Sequence, residues 1–293
     1  MTERKVGPSA LSELVRDELA QPVQPQVAEM AAAIAALYPG ASRAVLFYGS
    51  CLREEQLDGL MLDFYLIVSD YRAAYAKGWL ATANRLIPPN VFPFAQDGMS
   101  AKYAVLSQAD FHRLCGPETR NVSVWARFAQ PSRLAWSADA AATDRAVAAV
   151  SRAAPTLLAA AASRDGEASL DWWRRAFALT YSVELRAERS NRAASVVDAD
   201  PDRYERFSIP AIAAIPTGAK GGGWMRRRVE GKLLSVVRLA KAAFTFADGI
   251  DYLAWKINRH AGTQISITPW QRRHPLLAAL LLVPRLIRQG AVK

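Results

Sequence analysis

The sequence predicts an α+β fold in which a sheet with flanking helices is followed by a mostly helical second part. Three short apolar runs of strand length lie within the first 133 residues, and helix-like stretches separate them. Beyond residue 133 the chain is rich in alanine and other helix formers. The chain has 293 residues, of which 51 % are hydrophobic, so a sizeable core can form. We therefore expect two domains, residues 1–133 and residues 134–293.

The front part is predicted to alternate between helices and strands. Apolar residues at helical spacing indicate a first helix, and compact runs such as "AVLFY" and "LDFYLIV" are typical of buried strands. Paired prolines at residues 88 and 89 end a later helix. The predicted helices lie at residues 11–37 and 71–86, and a further helix starts at residues 108–115. The predicted strands lie at residues 44–48, 62–68 and 101–107, and a short helical turn lies at residues 50–58.

The back part is predicted to be helical with one flexible break. An alanine-rich stretch at residues 137–162 and a longer stretch at residues 169–188 favour helix. The glycine-rich residues 216–224 interrupt this pattern, and a basic helix is expected after them, at residues 226–246.

Charge is distributed unevenly along the chain. The net charge is +10, yet residues 218–293 alone carry 14 Lys and Arg against 3 Asp and Glu. Such asymmetry suggests a surface for anionic partners, either phospholipid or nucleic acid. The two cysteines and three histidines have no zinc-site spacing, and the N-terminus has no signal-peptide core. The longest apolar block near the end, Leu276–Val283, is too short to span a bilayer.

A Gly-Ser step at the end of the first predicted strand is the first candidate for function. Glycine lets the backbone approach a phosphate closely, and the hydroxyl of Ser50 with the N–H groups of a following turn can hold phosphate oxygens. Asp63 opens the next strand and could hold a Mg²⁺ that bridges such phosphates. A plain turn followed by a solvated acid is the alternative interpretation.

This spacing resembles the nucleotidyltransferase superfamily, whose members usually carry a second acid two residues after the first. Here that position is Tyr65. One branch that tolerates this change is the mitochondrial-type CDP-diacylglycerol synthase (translocator assembly and maintenance) family with its bacterial relatives, and the sequence resembles it in six segments. In order they are "YGS" at 48–50, "MLDF" at 61–64, "KYAVLS" at 102–107, "ARFAQP" at 126–131, "LTYSVELRAE" at 179–188 and "LAKAAFTFADG" at 239–249. Cys51, Gln130 and the segment around residues 89–91 depart from the family pattern.

The resemblance implies a nucleotidyltransferase-like mixed sheet and the reaction of CTP with phosphatidate to give CDP-diacylglycerol and pyrophosphate, with Mg²⁺ as cofactor. It implies that Asp63 is a catalytic residue and metal ligand and that Lys102 is catalytic. The remaining residues that it implies bind the substrates are Tyr48, Gly49, Ser50, Arg127, Arg186 and Lys241. CTP, phosphatidate and an anionic membrane surface are the expected partners, and nucleic acid is not expected.

The small number of acids agrees with this reaction. A sugar hydroxyl needs a base that removes its proton, whereas a phosphate monoester with a second pKa of about 6 is already largely ionised at neutral pH. The chemical problem is then to bring two polyanions together, which calls for cations. Two alternatives stay open: a nucleotidyltransferase that acts on RNA or protein, and a catalytically inactive module that binds membrane or nucleic acid.

A lipid substrate requires that the enzyme dock on a membrane. Trp224 and Met225 precede three arginines, and arginines flank the apolar block at residues 276–283. Shallow apolar insertion with basic contacts to headgroups is typical of interfacial attachment. We expect a cytoplasmic protein, peripheral to the inner face of the membrane; the alternative is that the terminal apolar block packs in the core.

Overall fold

Five strands form one open mixed sheet in the order β3-β4-β2-β1-β5. The structure is a computed structural model that describes residues 8–54, 56–57, 59–183, 196–219, 221–245 and 268–270. The strands are β1 (Ser42–Tyr48), β2 (Met61–Val68), β3 (Asn90–Gln96), β4 (Met99–Ser107) and β5 (Ser132–Ser137). The α+β class predicted from the sequence is confirmed.

Helices cover both faces of the sheet. A short 3₁₀ turn, Ser50–Arg53, follows β1 directly. In chain order the helices with described bounds are α1 (Pro8–Leu19), α2 (Pro25–Ala36), α3 (Tyr71–Ala74), α4 (Gly78–Leu86), α5 (Gln108–Cys115), α6 (Trp125–Phe128), α7 (Ala140–Val150), α8 (Ala153–Ala161), α9 (Ser169–Tyr181), α10 (Pro201–Ala213) and α11 (Trp224–Thr245).

Alternation along β2 divides the buried residues between two cores. Tyr65 and Ile67 point to one face, where α1 and α5–α10 pack, and Phe64 and Leu66 point to the other, where α2, α3 and α4 pack. Successive side chains of a strand alternate in this way, so both faces of an apolar run are buried when helices cover both. Asp63 therefore lies on the same face as Tyr65, at the end of the strand.

The strand register aligns the site residues of three neighbouring strands. β1 pairs antiparallel with β2, which places Tyr48 opposite Asp63. β2 pairs parallel with β4, which places Asp63 opposite Lys102. A parallel pair needs a long crossover, and residues 69–98, with α3, α4 and β3, supply it.

The structure differs from the sequence prediction mainly at prolines and short elements. The helix predicted at residues 11–37 is two helices, because Pro22 and Pro25 follow the end of α1. The helix predicted at residues 71–86 is also two, since Tyr75 is extended and packs its ring against those of Tyr38 and Phe92.

Two strands were not predicted. β3 contains Pro93, which a strand tolerates at the edge of a sheet, and β3 is an edge strand here. β5 is mostly half-buried and short, so it lacks the apolar run that marks a buried strand. β5 also continues across residue 133, the predicted domain boundary, and buried residues from both sides of that boundary share one core.

A buried ion pair joins the first helix to the back part of the chain. The guanidinium of Arg203 on α10 donates two hydrogen bonds to the carboxylate of Glu18 on α1, and a third, of 3.1 Å, to the carbonyl of Ala129. Its guanidinium carbon also lies 4.3 Å from the centre of the Phe207 ring. These hydrogen bonds and the Glu18 carboxylate compensate the buried positive charge of Arg203. The ion pair thereby holds α10 against α1.

Helix α11 packs against the rest of the protein through a side that combines polar and apolar residues. Gly231 lies so close to Val183 that an added Cβ would come within 2.8 Å of the Val183 carbonyl oxygen. Arg227 donates to the carbonyl of Arg120 at 2.8 Å, and the Trp224 indole donates to the carbonyl of Ala160 at 3.1 Å. Among the described helices, none has both the length and the apolar content to cross a membrane.

Candidate functional site

The site begins where β1 ends. Gly49 follows Tyr48 with a φ of 98°, a backbone conformation that only glycine adopts without strain. A Cβ at this position would lie 3.4 Å from Oδ2 of Asp63, so the backbone passes directly over the carboxylate. Ser50 then opens the 3₁₀ turn and is exposed to solvent. The Gly-Ser step and Asp63, predicted to form one site, are adjacent.

Asp63 and Lys102 form an ion pair on neighbouring parallel strands. The ammonium Nζ lies 2.9 Å from Oδ1 of Asp63, and each side chain is about one-quarter exposed, 25 % for Asp63 and 26 % for Lys102. No aligned hydrogen bond within the described residues reaches the buried Oδ1, so the lysine charge is what compensates it. The pair is thus partly open to solvent and leaves the carboxylate able to take another cation.

Arg127 contributes a second positive charge next to Tyr48. It lies on the short helix α6, and its guanidinium donates to the carbonyl of Ser123 and to the Tyr48 hydroxyl. Burial raises the pKa of Tyr48 well above its usual range, the Asp63 charge adds to this, and Arg127 opposes it. Tyr48 therefore stays protonated and can donate a hydrogen bond to an anion.

Tyr65 lies two residues after Asp63, where the sequence resemblance would lead one to expect a second acid. It lies on the same face as Asp63, as strand alternation predicts, but it is only 2 % exposed. Its ring packs 5.2 Å from the Tyr48 ring and 5.1 Å from the Phe128 ring, centre to centre. A carboxylate here would be buried among aromatic rings, so Tyr65 is part of the core that supports Tyr48.

Cys51 and Gln130, two of the positions at which the sequence departs from the pattern that it resembles, have local structural roles. The Cys51 thiol is buried in the 3₁₀ turn and lies 3.6 Å from the carbonyl of Met61, to which it donates. The Gln130 amide donates to the carbonyl of Ala126 at 2.8 Å and so ties down the end of α6. Both side chains hold backbone segments that carry site residues.

Among the described residues, Asp63 is the side chain of this site that could contribute to a Mg²⁺ ion, which would need further ligands from elsewhere. Mg²⁺ is commonly held by one or two carboxylates together with phosphate oxygens and water. Asp63 supplies one carboxylate, and within the described part of the chain no group of three or more His, Cys, Asp or Glu side chains converges. Glu55 and Asp58, in the loop before β2, lie outside the described residues.

Lys241 makes different contacts from those expected of a substrate-binding residue. Its ammonium donates to the carbonyls of Ile87 and Pro89, the latter at 2.7 Å, in the loop before β3. Burial, followed by the charge of Arg238, lowers the pKa of Lys241 to about 7. Within the described residues it therefore attaches α11 to this loop. Arg186, the remaining predicted substrate-binding residue, lies outside the described residues.

Arg238 is a residue near the site that sequence reasoning missed. It donates to the carbonyl of Pro88 at 2.7 Å and to the Ser123 hydroxyl at 3.0 Å, while the Ser123 carbonyl accepts from Arg127. Arg238 thus connects α11 to the segment that positions Arg127. Its spacing of three residues from Lys241 on a helix was the available signal, because such residues share one face.

No protein-family model matches the chain, and no curated protein sequence matches it significantly. The chemistry of the site is therefore inferred from its own geometry. That geometry combines one carboxylate, a protonated phenol and two cations around a glycine that exposes the backbone.

Proposed function

We propose that the chain is a phosphatidate cytidylyltransferase, which converts CTP and phosphatidate to CDP-diacylglycerol and pyrophosphate. The two substrates are those that the resemblance of the sequence implies, and the structural observation that supports them is the Asp63–Lys102 ion pair beneath Gly49, at 2.9 Å, with Arg127 beside Tyr48. A site with one carboxylate and several cations suits a reaction in which both reactants are polyanions and the nucleophile is already ionised.

The proposed reaction exchanges one phosphorus–oxygen bond for another. A non-bridging oxygen of the phosphatidate phosphate attacks the α-phosphorus of CTP and forms the new bond. The bond from the α-phosphorus to the oxygen that bridges to the β-phosphate breaks, and pyrophosphate leaves with that electron pair. Since the phosphate of the lipid is largely ionised at neutral pH, its second pKa being about 6, no general base is needed.

Lys102 and Arg127 would lower the repulsion between the two substrates. Lys102 places its charge at the carboxylate of Asp63, on the open end of the sheet, where a triphosphate can approach Gly49. Arg127 can share its planar guanidinium between Tyr48 and a phosphate oxygen, a geometry that suits bidentate contacts. Asp63 is the residue that would hold Mg²⁺, which supplies neutralisation of phosphate charge when it is bound.

Catalytic inactivity is the second candidate, and the observation that favours it is Tyr65. Because Tyr65 is packed between the rings of Tyr48 and Phe128, the site has no carboxylate at the position of the usual second acid. A module of this kind would bind nucleotide or membrane without transferring a nucleotidyl group.

The proposed lipid substrate also implies where in the cell the protein acts. Phosphatidate resides in a bilayer, so we propose that the enzyme acts at the cytoplasmic face of a membrane as a peripheral protein. The apolar block at residues 276–283, predicted to dock there, lies outside the described residues.

The molecule that accepts the cytidylyl group is identified by testing several candidate acceptors with the same protein. Purified protein is incubated with radiolabelled CTP, Mg²⁺ and one of phosphatidate vesicles, RNA or a protein mixture. The proposal predicts label in the organic extract with phosphatidate alone. Label in RNA or protein would contradict it, and the absence of transfer to all three would favour the inactive module.

A further inference from the structure

Helix α11 carries an exposed row of aliphatic side chains on the side away from the rest of the protein. The members of this row, here called the outer stripe, are Met225, Val229, Leu233 and Val236, with exposed fractions of 71, 63, 63 and 37 %. Their spacing of four, four and three residues places them on one side of an α-helix. At 1.5 Å per residue the stripe is about 16 Å long.

Helix α11 carries apolar side chains on both sides, whereas an ordinary surface helix buries its apolar side. On the inward side Arg227, Arg238 and Lys241 are held by backbone carbonyls of residues 87–89 and 120, and Trp224, Leu234 and Val237 are half-buried beside them. The outer stripe is the part of its apolar surface that is left exposed. Attachment of the segment with Trp224, Met225 and the three arginines to a membrane stays a prediction, and the structure divides its residues between two sides of the helix. Trp224 and Arg227 pack inward, and Met225 is left exposed.

Positive charge flanks the outer stripe. Lys232 and Arg226 are exposed beside it, and Glu230 is neutralised by ion pairs with Arg226 at 2.8 Å and Arg120 at 3.0 Å. The sequence from residue 218 onward adds a large excess of basic over acidic residues. A straight row of aliphatic side chains with cations at its margins matches the boundary between acyl chains and anionic headgroups.

We propose that the outer stripe of α11 is a docking surface for an anionic lipid bilayer, with the helix lying in the plane of the interface. A second copy of the chain fits less well, because a two-fold contact through the stripe would bring the flanking cations of both copies together. Nucleic acid also fits less well, since it would meet aliphatic side chains where phosphates need cations.

The surface is connected to the candidate site through the same helix. Arg238, on the inward side of α11, donates to the Ser123 hydroxyl, and the Ser123 carbonyl accepts from Arg127. A bilayer bound to the outer stripe would thus lie on one side of a helix whose other side holds the segment of Arg127. The docking surface is nevertheless independent of the proposed reaction, because neither CTP nor phosphatidate enters the argument.

Vesicle flotation of the full chain tests the proposal. The probes are vesicles of phosphatidylcholine alone and of phosphatidylcholine mixed with phosphatidylglycerol. Leu233→Ser is compared with Leu37→Ser, a matched change at a leucine that is 50 % exposed at the end of α2, on the opposite face of the sheet. We expect Leu233→Ser to weaken binding to the anionic vesicles by about tenfold and Leu37→Ser to leave it unchanged.

Fluorescence reports the docking geometry directly. Both native cysteines are buried, so a polarity-sensitive fluorophore can be attached at position 233 of Leu233→Cys or at position 37 of Leu37→Cys. The proposal predicts a blue shift at position 233 on anionic vesicles and none at position 37.

Three results would overturn the proposal: unchanged flotation of Leu233→Ser, an equal loss in Leu37→Ser, or a fluorescence shift at position 233 that depends on protein concentration instead of lipid. Because vesicles without phosphatidate are used, failure here leaves the proposed reaction untouched. Transfer to detergent-dispersed phosphatidate would still report that reaction.

Discussion

At the scale of single residues, the Asp63–Lys102 pair has the properties of a functional contact more than of a stabilising one. Both side chains are partly open to solvent, where an ion pair contributes at most about 1 kcal/mol to stability. Around them are a glycine in a conformation that other residues rarely adopt and a desolvated phenol. The two charged groups contribute little to the stability of the fold, and their charges remain accessible, so they are suited to binding a charged substrate.

Lys102→Met is therefore expected to lower activity strongly and preserve the fold. Loss of a cation that stabilises charge in the transition state should lower kcat for cytidylyl transfer by about 10²- to 10³-fold. Because the buried Oδ1 of Asp63 loses its compensating charge, a loss of stability of about 1 kcal/mol is expected in thermal unfolding. Arg16→Met is the control, because Arg16 forms a 2.7 Å ion pair with Asp144 through side chains that are 50 % and 63 % exposed and lie outside the candidate site. Equal activity of Lys102→Met and Arg16→Met would contradict this assignment.

Gly49→Ala tests the close approach of the backbone to Asp63. A positive φ should cost an alanine about 1–2 kcal/mol of folding stability, and the new methyl would face the Asp63 carboxylate. Gly40→Ala is the control, since Gly40 has a φ of 74° with open space around it. We expect both variants to lose stability in denaturant unfolding, Gly49→Ala the more because its φ of 98° and ψ of −166° lie in a region essentially restricted to glycine, and only Gly49→Ala to lose activity. Full activity of Gly49→Ala would exclude a role for the exposed backbone.

Sequence reasoning anticipated the residues that strand register brings together. Gly49, Asp63 and Lys102 each mark the end of an apolar run, and neighbouring strands align such ends. It could not anticipate the contacts of Lys241, because they depend on where α11 packs against a loop about 150 residues earlier in the chain. Long-range packing of this kind leaves no local pattern.

At the scale of elements, ion pairs and glycines set how the helices fit together. Glu18 and Arg203 join α1 to α10 in the core. Glu18→Gln is expected to lower the free energy of unfolding by about 3–5 kcal/mol, because it leaves the Arg203 charge buried without its partner. Urea denaturation of Glu18→Gln and of the unmodified chain measures this difference in the free energy of unfolding.

The double variant Glu18→Gln with Arg203→Met serves as the internal control for that experiment. It removes the buried charge as well as its partner, so it should be more stable than Glu18→Gln alone. If Glu18→Gln unfolds at the same urea concentration as the unmodified chain, the pair has no structural role.

Gly231 sets the distance between α11 and Val183. Gly231→Ala would bring a methyl group against the Val183 side chain and within 2.8 Å of its carbonyl oxygen, which backbone geometry prevents from moving away. We expect α11 to be displaced, at a cost of about 1–3 kcal/mol in thermal or urea unfolding. Because alanine favours helix over glycine, a gain in stability would show that α11 does not pack here.

The elements themselves were predictable to different degrees. β1, β2 and β4 are continuous apolar runs because helices cover both faces, and the sequence shows them clearly. β3 carries a proline and β5 is half-buried, so neither has the pattern of a buried strand. The long predicted helices were divided because Pro22 and the burial of Tyr75 outweigh local helix propensity.

At the scale of the whole molecule, the described residues form two distinct surfaces, a charged site and an exposed apolar row. The open end of the sheet gathers charged and polar groups around Asp63, and α11 presents an apolar row to the outside. α11 contacts the segment that carries Arg127 on its inward side. This arrangement suits an enzyme whose one substrate is dissolved and whose other substrate resides in a bilayer.

The position of the label in the product tests the central claim most directly. Purified full chain is incubated with Mg²⁺, phosphatidate vesicles and CTP labelled either at the α-phosphate or at the γ-phosphate, and the lipid is extracted. Attack at the α-phosphorus predicts label in the lipid from α-labelled CTP only, with one pyrophosphate released per lipid formed and none with Asp63→Asn. Absence of label from the lipid with either CTP, or transfer by Asp63→Asn equal to that of the unmodified chain, would contradict the proposed function.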